Sequence, residues 1–323
     1  MNVEFHYYDI YFLCSRAGYS PADAAVVAYS SQFVDCNLVS YKISTNRGEY
    51  NTLVTQNYGW WDESFPLNVY IPFHFFPGDI DYPGALRKDG KTNKMNCTPN
   101  SKNVKKLLIA ALKTRNLYRV GIGLHTYADS WAHQNFSGLL EDWNILEDNS
   151  LIPSIGHAHA VTSPDKLGGE WKDPRLVLSS CYIINKRRYL KAASKIYKYL
   201  CTYNRKSFDN IDIVMDQFGE LIGPPDKLQD ERIIDLIIEC DIYKFNRKQW
   251  LSEAVYLNEQ PDQEEVFRGY DKLLWLKDQA LHKTNILVKD PLTARENFYN
   301  SHLYKWQCAA QEHLKTAKQI LNL

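Results

Sequence analysis

Two histidines and an aspartate recur at four-residue intervals in the middle of the chain. They are His125, Asp129 and His133, in the stretch HTYADSWAH. Four residues advance an α-helix by about 400° and about 6 Å, so side chains at this spacing share one stripe and face one cavity. Imidazole and carboxylate are ligands that suit zinc, and a carboxylate between two histidines can bridge two ions. The spacing predicts a metal site, although a single buried histidine is more often a hydrogen-bonded core residue.

The helix that should carry these ligands runs from about residue 117 to 135. This run contains no proline and has apolar residues at helical spacing. Gly121 and Gly123 lie one turn before the ligands, and each glycine inside a helix costs about 1 kcal/mol relative to alanine. We therefore expect another backbone, or the site itself, to approach the helix closely at these two positions.

Further candidate ligands lie earlier in the chain. His6 lies in an aromatic-rich predicted helix, Asp35 closes the second predicted helix, and His74 lies in the apolar stretch PFHFFP. Each of them alone is compatible with an ordinary packed or surface residue. An unpaired polar ring in an apolar setting is costly, so His74 needs a partner. The clustering of six of the nine histidines in the first half of the chain favours a shared site.

A second histidine-rich segment follows the central helix. His157 and His159 lie in GHAHA, and Asp165 follows shortly afterwards. Two residues apart, the histidines share a face in a strand but diverge by about 200° in a helix. We expect His157 to bind a metal, with Asp165 or His159 as its companion.

The composition limits the class of protein. The 38 basic and 38 acidic residues balance, so the whole chain has no field that would attract nucleic acid or an anionic membrane, although a local patch is allowed. No apolar run approaches the roughly 20 residues that span a bilayer, and the start lacks the basic region of a secretory signal. Seven scattered cysteines without a CxxC pair predict reduced thiols. We expect a cytoplasmic protein, with delivery as an effector as the other option.

Helical periodicity predicts a mainly α protein with irregular or short-strand insertions. The predicted helices cover residues 4–17, 21–34, 103–115, 117–135, 174–203, 211–221, 228–240, 247–257, 262–283 and 292–321. From residue 37 to 83, β-branched and aromatic residues with turns predict short strands, for example at 53–55 and 69–71, or an irregular meander. The segment 77–103, rich in Gly, Pro, Asn and Lys, predicts a long loop, either a lid or ordinary solvated surface. We expect residues 1–203 to form a metal-binding core and residues 204–323 a helical extension packed on it.

Aromatic side chains are abundant near the candidate ligands. Trp60, Trp61 and Phe75 lie close in sequence to Asp35 and His74. Such rings can stack on a nucleobase or enclose a lipid head group, or they can belong to the core. These three are the candidate substrate-binding residues.

The combination of His6, Asp35, His74, the HxxxDxxxH helix and a following histidine resembles the zinc-dependent phospholipase C and single-strand nuclease superfamily. The stretch HTYADSWAHQNFSG is most similar to the version in Het-C-like proteins and in an uncharacterised bacterial family. The resemblance covers roughly residues 1 to 180. It implies a multi-helix scaffold that holds two or three Zn²⁺ ions.

By position, the resemblance assigns the first ligands. It implies that Asp35, His74, His125 and Asp129 hold one zinc ion. Asp129 would also bridge to a second ion held by His6.

The resemblance assigns the third ion to His133, His157 and Asp165, with His159 as the other candidate. Secreted zinc phospholipases also use the amine and carbonyl of a processed N-terminal Trp as ligands. We expect that a sequence that starts Met-Asn-Val and lacks a secretory signal does not reproduce that arrangement in the same way.

A clustered pair of divalent ions favours one kind of chemistry. Bound water becomes acidic near neutral pH, and the metals stabilise charge on the oxygens of a displacement at phosphorus. We therefore expect a zinc-dependent phosphoric ester hydrolase, phospholipase C-like or phosphodiesterase- or nuclease-like, in which Asp35 orients or deprotonates the attacking water. Its substrate would be a lipid head group or a nucleotide. The balanced charge leans away from long nucleic acid.

The alternative is a non-enzymatic protein. A helical interaction protein, a pore-associated protein or a toxin-like effector would use the metal site for folding. Structural metal sites are closed, with four protein ligands per ion, whereas catalytic sites keep an open position. The openness of the site therefore distinguishes the two classes.

Overall fold

A computed structural model describes residues 1–57, 59, 62–146, 152–257 and 292–323 of the protein. Helices dominate the described chain and the strands are short, so the mainly α class is confirmed. In chain order the α-helices are α1 (Ile10–Arg16), α2 (Pro21–Cys36), α3 (Ile71–Phe73), α4 (Lys102–Lys113), α5 (Leu117–Ala132), α6 (Asn185–Tyr203), α7 (Ile211–Ile222), α8 (Gln229–Cys240), α9 (Gln249–Ala254) and α10 (His302–Leu321). Among the described helices, none has the length and apolar character needed to cross a bilayer.

Wide, π-helical turns precede two of these helices. Glu4–Asp9 leads into α1, and Pro66–Tyr70 leads into α3. His6 lies in the first turn, and His74 directly follows α3. Such turns are rare and occur frequently at functional sites. Both of these predicted ligands thus lie in or next to an irregular helix.

Side-chain caps fix the starts of the helices around the centre. The Ser20 hydroxyl accepts a hydrogen bond from the Asp23 amide at the start of α2, where Pro21 occupies the first turn. Ser101 caps α4, and the Asn116 side chain accepts from the first amides of α5. A cap of this kind contributes about 1 kcal/mol, so these helix starts are set locally by the sequence.

The central helix of the fold is α5, which packs against α2, α4, α6 and α10. A Cβ atom built on Gly121 would lie 2.4 Å from the carbonyl oxygen of Val27 in α2. A Cβ atom on Gly123 would lie 2.7 Å from the Cβ of Ala111 in α4. The expected close approach at both glycines is confirmed, because neither position leaves room for a side chain.

Short strands complete the described structure. They are β1 (Lys42–Thr45), β2 (Gly48–Asn51), β3 (Glu170–Lys172), β4 (Tyr182–Ile184), β5 (Val255–Tyr256) and β6 (Leu292–Ala294). One sheet has the order β2-β1-β6-β5, with β1 parallel to β6 and the other pairs antiparallel. The antiparallel pair β3-β4 lies directly before α6. The first sheet joins strands from the two ends of the chain.

The segment 37–83 contains both short strands, β1 and β2, and irregular stretches such as residues 53–55, as the two alternatives allowed. Some predicted elements are wrong. Residues 69–71 are helical and buried, since packing overrides the strand propensity of their apolar side chains. The helix predicted from residue 174 begins only at Asn185, after the β3-β4 pair. The helix predicted over 292–321 is split into β6 and α10, and the one predicted over 262–283 lies outside the described residues.

The predicted loop at 77–103 is hydrogen-bonded to its surroundings. The amide of Cys97 donates to the carbonyl of Phe136, 2.8 Å away, beyond the end of α5. The Arg87 guanidinium donates to the carbonyl of Trp143 and lies over the Trp143 ring. The loop therefore packs against the segment that follows the central helix.

The main hydrophobic core takes side chains from α1, α2, α5, α6 and α10. A smaller cluster lies around the PFHFFP stretch and contains Val54, Phe65, Val69, Tyr70, Phe75, Phe136 and Ala160. Because α10 packs against α4 and α5, the last helix contributes to the same core that positions the predicted ligands. The division near residue 203 stays a prediction.

Candidate metal centre

Asp129 lies at the middle of the predicted ligands and is almost completely buried. Its Oδ1 atom is 3.1 Å from Nε2 of His6. Its Oδ2 atom is 3.1 Å from Nδ1 of His74 and 3.2 Å from Nε2 of His125. The two carboxylate oxygens thus face different imidazoles, which is the arrangement that a bridging carboxylate needs.

Asp35 joins His74 and His125 at the end of α2. Its Oδ1 atom lies 3.6 Å from Nε2 of His125 and 3.8 Å from Nδ1 of His74. Its Oδ2 atom lies 4.0 Å from Nε2 of His6. These donor atoms of Asp35, His74 and His125 form one candidate metal-binding group, and those of His6, His125 and Asp129 form another.

A third candidate group lies at the end of α5 and in the loop that follows. Asp165 Oδ1 is 3.1 Å from Nε2 of His133, and its Oδ2 is 3.4 Å from Nε2 of His157. The rings of His133 and His157 are 4.7 Å apart. The stripe predicted on α5 therefore contributes a ligand to each group.

Backbone carbonyls set which imidazole nitrogen faces the centre. Nε2 of His74 donates to the carbonyl of Thr55 at 2.8 Å, so the lone pair of Nδ1 points inward. Nδ1 of His133 donates to the carbonyl of His74, and Nδ1 of His157 donates to the carbonyl of Val161, each at 2.9 Å. Metal-binding histidines usually make such a bond through the other nitrogen. These three rings are therefore held in a tautomer ready for metal binding.

A cation fits this arrangement of lone pairs. His74 Nδ1, Asp129 Oδ2 and Asp35 Oδ1 all approach His125 Nε2, and the two imidazole nitrogens are only 3.2 Å apart. One hydrogen on His125 cannot satisfy three acceptors, whereas a metal ion among them would. His125 Nδ1 has no hydrogen-bond partner among the described residues. The donor set, imidazole nitrogen with carboxylate oxygen, is the one that suits zinc.

The carboxylates differ in their electrostatics. Burial by itself would raise the pKa of Asp129. Neighbouring groups led by His133 nevertheless hold this pKa well below its ordinary value. The pKa of Asp165 is also lowered despite burial, chiefly by the Met1 amino group. Burial raises the pKa of Asp35 above its ordinary value. Two carboxylates are thus held ionised, while Asp35 is the one best suited to accept a proton.

Two of the histidines are held neutral in the folded protein. Burial lowers the pKa of His6 well below its ordinary value, and the adjacent His125, stacked at 3.8 Å, adds to this effect. Burial lowers the pKa of His157 to about 4. Metal ions bind the neutral imidazole, so both rings are in the state that binding requires.

Met1 lies inside the centre. Its nitrogen is 2.5 Å from Oδ1 of Asp129, 3.2 Å from Oδ1 of Asp165 and 3.4 Å from Nε2 of His133. The π-helical turn at Glu4–Asp9 follows Met1 and carries His6. No sequence motif indicated this position of Met1, because motifs do not report where a residue packs.

The ligands differ in exposure, and this difference locates the opening. The side chains of Asp35, Asp165 and His157 are 22%, 20% and 19% exposed, while the other predicted ligands in the centre are buried. Phe75 stacks on His133 at 4.7 Å and is buried, so it forms part of the wall. The centre therefore opens at two edges, one beside Asp35 and one beside Asp165.

Not all predicted site residues meet. Nε2 of His159 donates to the carbonyl of Ile152 at 3.0 Å, and this ring belongs to none of the candidate groups, so Asp165 is the companion of His157. A short helical turn at Ala158–Ala160 separates the two histidines. Trp60 and Trp61 lie outside the described residues.

Residues that the sequence did not reveal support the ligands. Val161, whose carbonyl holds His157, has a φ of 53°, a conformation that costs a β-branched residue about 1–3 kcal/mol. His313 of α10 contacts the segment that carries His74. Neither residue lies at a spacing that predicts a role, so no signal in a single sequence points to them.

A family model matches nearly the whole chain. It describes a family of unknown function (DUF6765) and covers residues 1–321. No curated protein and no solved structure matches the chain. The geometry of the centre is therefore the basis for a functional assignment.

Proposed function

The chain belongs to the DUF6765 family, whose function is unknown, and we propose that it is a divalent-metal-dependent hydrolase of phosphoester bonds. One observation carries this proposal: three groups of imidazole and carboxylate donors lie around Asp129, and the donor atoms of each group lie within 4.8 Å of one another. A set of adjacent sites, rather than one isolated site, is characteristic of enzymes that act on phosphoesters. Zinc is the proposed metal because of the donor types.

The ligands would divide by position. Asp35, His74 and His125 would hold one ion, with Asp129 Oδ2 beside them. His6 would hold a second on the Oδ1 side of Asp129.

His133, His157 and Asp165 would hold the third ion. When bound, the ions would acidify water and stabilise charge on the phosphoryl oxygens.

The residues of the chain have separate tasks in this proposal. Asp35 lies at an exposed edge and has a raised pKa, so it is placed to take the proton of the attacking water. Asp129 stays ionised between the imidazoles and holds the groups at a fixed separation. Phe75 covers the His133 ring and excludes water from that side.

Openness favours the enzyme over a purely structural metal site. Each group offers three ligand atoms, and two of the groups include a side chain about one-fifth exposed. Three protein ligands and an accessible position are typical of catalytic zinc, whereas structural zinc has four ligands and is closed. These partly exposed side chains support access of water and of a phosphoester group to the centre.

The test combines metal analysis with turnover. The purified protein should contain zinc and hydrolyse a generic diester such as bis(p-nitrophenyl) phosphate, and a chelator should stop the reaction. Asp129→Asn should lose both metal and activity while keeping a helical circular dichroism spectrum. His159→Ala is the matched control, because His159 lies in the same loop as His157 but outside the candidate groups.

The result also separates the enzyme from the structural alternative. A second outcome is that metal raises the melting temperature of the protein and yet the protein hydrolyses no diester, monoester, phospholipid or oligonucleotide. That result would support a structural site and contradict the proposal. Loss of activity in Asp129→Asn together with full activity in His159→Ala would support it.

A further inference from the structure

Basic residues are concentrated in two segments of the chain, although its net charge is zero. Residues 101–116 contain five Lys and Arg residues, and residues 185–206 contain eight, yet neither segment contains a single Asp or Glu. The two segments span α4 and α6. The two segments therefore carry 13 of the 38 basic residues of the protein without any acidic residue to balance them.

The two basic helices lie side by side on α5. The Tyr127 hydroxyl donates to Asn100 just before α4, and the Tyr127 ring contacts Tyr199 of α6 at 5.7 Å. Near the other end of α6, the Arg188 guanidinium donates to the carbonyl of Ala132. Both helices thus run antiparallel to α5 and parallel to each other, so their outer sides form one face, here called the α4–α6 face.

The exposed positions of this face carry the cations. Lys102, Lys106 and Lys113 are exposed on α4, and Arg187, Lys191 and Lys195 are exposed on α6. No Lys or Arg of either helix forms an ion pair with a carboxylate in the described part of the chain. Spacing of four residues places the three α6 cations about 6 Å apart along a line.

The start of α6 is attached to the turn that carries Asp165. Asn185, the first residue of α6, donates to the carbonyls of Ser163 and Lys166, and the Tyr189 hydroxyl donates to that of Pro164. Asn185 and Tyr189 are buried, and the exposed row of cations begins at Arg187, between them in sequence. The same helix therefore carries the cations on its outer side and supports the third group of ligands on its inner side.

We infer that the α4–α6 face binds single-stranded nucleic acid through its phosphate backbone. A linear row of unpaired cations fits a polyanion, and such contacts supply most of the affinity of sequence-independent binding. The net charge leaned away from long nucleic acid but allowed a local patch, and the α4–α6 face is such a patch. Binding to the face does not depend on catalysis; only delivery of a phosphodiester to the centre rests on the proposed function.

The composition of the face argues against an anionic bilayer as the partner. Helices that lie on membranes insert large apolar side chains beside their basic residues. Within α4 and α6, Ile109 is the one large apolar side chain that is exposed. A flexible single strand, unlike a stiff duplex, can also follow the face and turn into a narrow opening.

The test measures binding to the full-length protein as purified. Fluorescence anisotropy with a labelled phosphorothioate oligothymidylate, which resists cleavage, gives the dissociation constant at several salt concentrations. Lys191→Gln/Lys195→Gln should weaken binding about tenfold and lower the slope of log K against log salt by about 1.4, since each phosphate contact to a single strand contributes about 0.7. Lys102→Gln/Lys106→Gln should also weaken binding and lower this slope.

The matched control is Lys305→Gln/Lys315→Gln, which removes two exposed lysines from α10, outside the two basic segments. It should bind like the unmodified protein. Equal affinity of the α6 double variant and the unmodified protein, or an equal loss in the α10 control, would overturn the inference. Binding to phosphatidylserine-containing vesicles without binding to the oligonucleotide would also overturn it. If the protein binds the oligonucleotide through the α4–α6 face but does not hydrolyse phosphoesters, the result contradicts only the proposed function.

Discussion

His313 of the last helix donates from Nε2 to the carbonyl oxygen of Pro72, 2.9 Å away, and so connects α10 to the segment that carries His74. Nδ1 of the same ring accepts a hydrogen bond from the Arg119 guanidinium of α5. Burial and the charge of Arg119 keep the pKa of His313 well below its ordinary value. A neutral histidine from the C-terminal helix therefore orients a candidate ligand loop, more than 200 residues away in sequence.

Removal of this connection should weaken both the fold and the centre. His313→Ala leaves the Arg119 guanidinium and the Pro72 carbonyl buried without their partner, so we expect a loss of about 3 kcal/mol in the free energy of unfolding. Zinc affinity should fall by about 10–100-fold, as for other outer-sphere partners. Urea unfolding and competition with a zinc-binding dye measure the two effects.

The control for this variant is His302→Ala, another histidine of α10. His302 bonds to the Tyr118 hydroxyl and stacks on Trp250, and it has no contact with the ligand loop. We expect it to lose stability but to keep its zinc affinity. Unchanged zinc affinity in His313→Ala would show that α10 has no role in positioning the centre.

Asp35 should matter for turnover more than for metal retention. Asp35→Asn removes the partly exposed carboxylate with the raised pKa, so we expect kcat to fall by about 10²–10⁴-fold, the usual contribution of a general base. Metal content should fall less than in Asp129→Asn, because Asp129 lies closer to the imidazoles. Plasma emission spectrometry and initial rates on metal-loaded protein measure both. Normal kcat in Asp35→Asn would exclude the assigned role.

The strained residue Val161 offers a test of local stability. Val161→Gly should raise or leave unchanged the free energy of unfolding, because relief of a positive φ offsets the cost of a flexible residue, within about 1 kcal/mol. Val161→Pro forces φ to about −65° and should displace the carbonyl that holds His157, with loss of metal. Thermal unfolding and metal analysis distinguish the variants. A clear destabilisation by glycine would mean that this strain is absent.

Three buried histidines should lose their contribution to the stability of the metal-free protein as the pH falls from about 7 to about 5. His6, His157 and His313 have lowered pKa values in the folded state, so the unfolded chain binds more protons below its histidine pKa of about 6.5. Their contribution is fully present above that pH and is lost as the pH decreases. His74, Asp35, Glu4 and Asp9, whose pKa values are raised, act in the opposite direction, so the test compares a histidine variant with the unmodified protein.

Urea unfolding of chelator-treated protein between pH 5 and pH 8 checks this dependence. As the pH falls, His157→Gln should lose less stability than the unmodified protein, because the variant has no imidazole to protonate at this position. An equal dependence of the free energy of unfolding on pH in the two proteins would contradict the assignment of His157 as a neutral histidine.

Local physics explains what the sequence revealed about the fold. Capping residues and apolar periodicity identified α2, α4 and α5 to within three residues at each end. The spacing of His125, Asp129 and His133 placed three ligands on one stripe of α5, because helical periodicity is a local property. The segment before α6 has weak periodicity and so lacks this local signal. The helix predicted from residue 174 was therefore wrong over residues 174–184.

The sequence alone determined the ligand types, their stripe on α5 and the need for small residues at Gly121 and Gly123. Only the tertiary structure decided between Asp165 and His159, placed the Met1 nitrogen beside Asp129, and joined α10 to the ligand loop. It also brought two basic helices together on one face of a chain with no net charge. Such contacts join residues far apart in sequence, and a single sequence carries no periodic signal for them, because they are fixed by the packing of whole helices against each other.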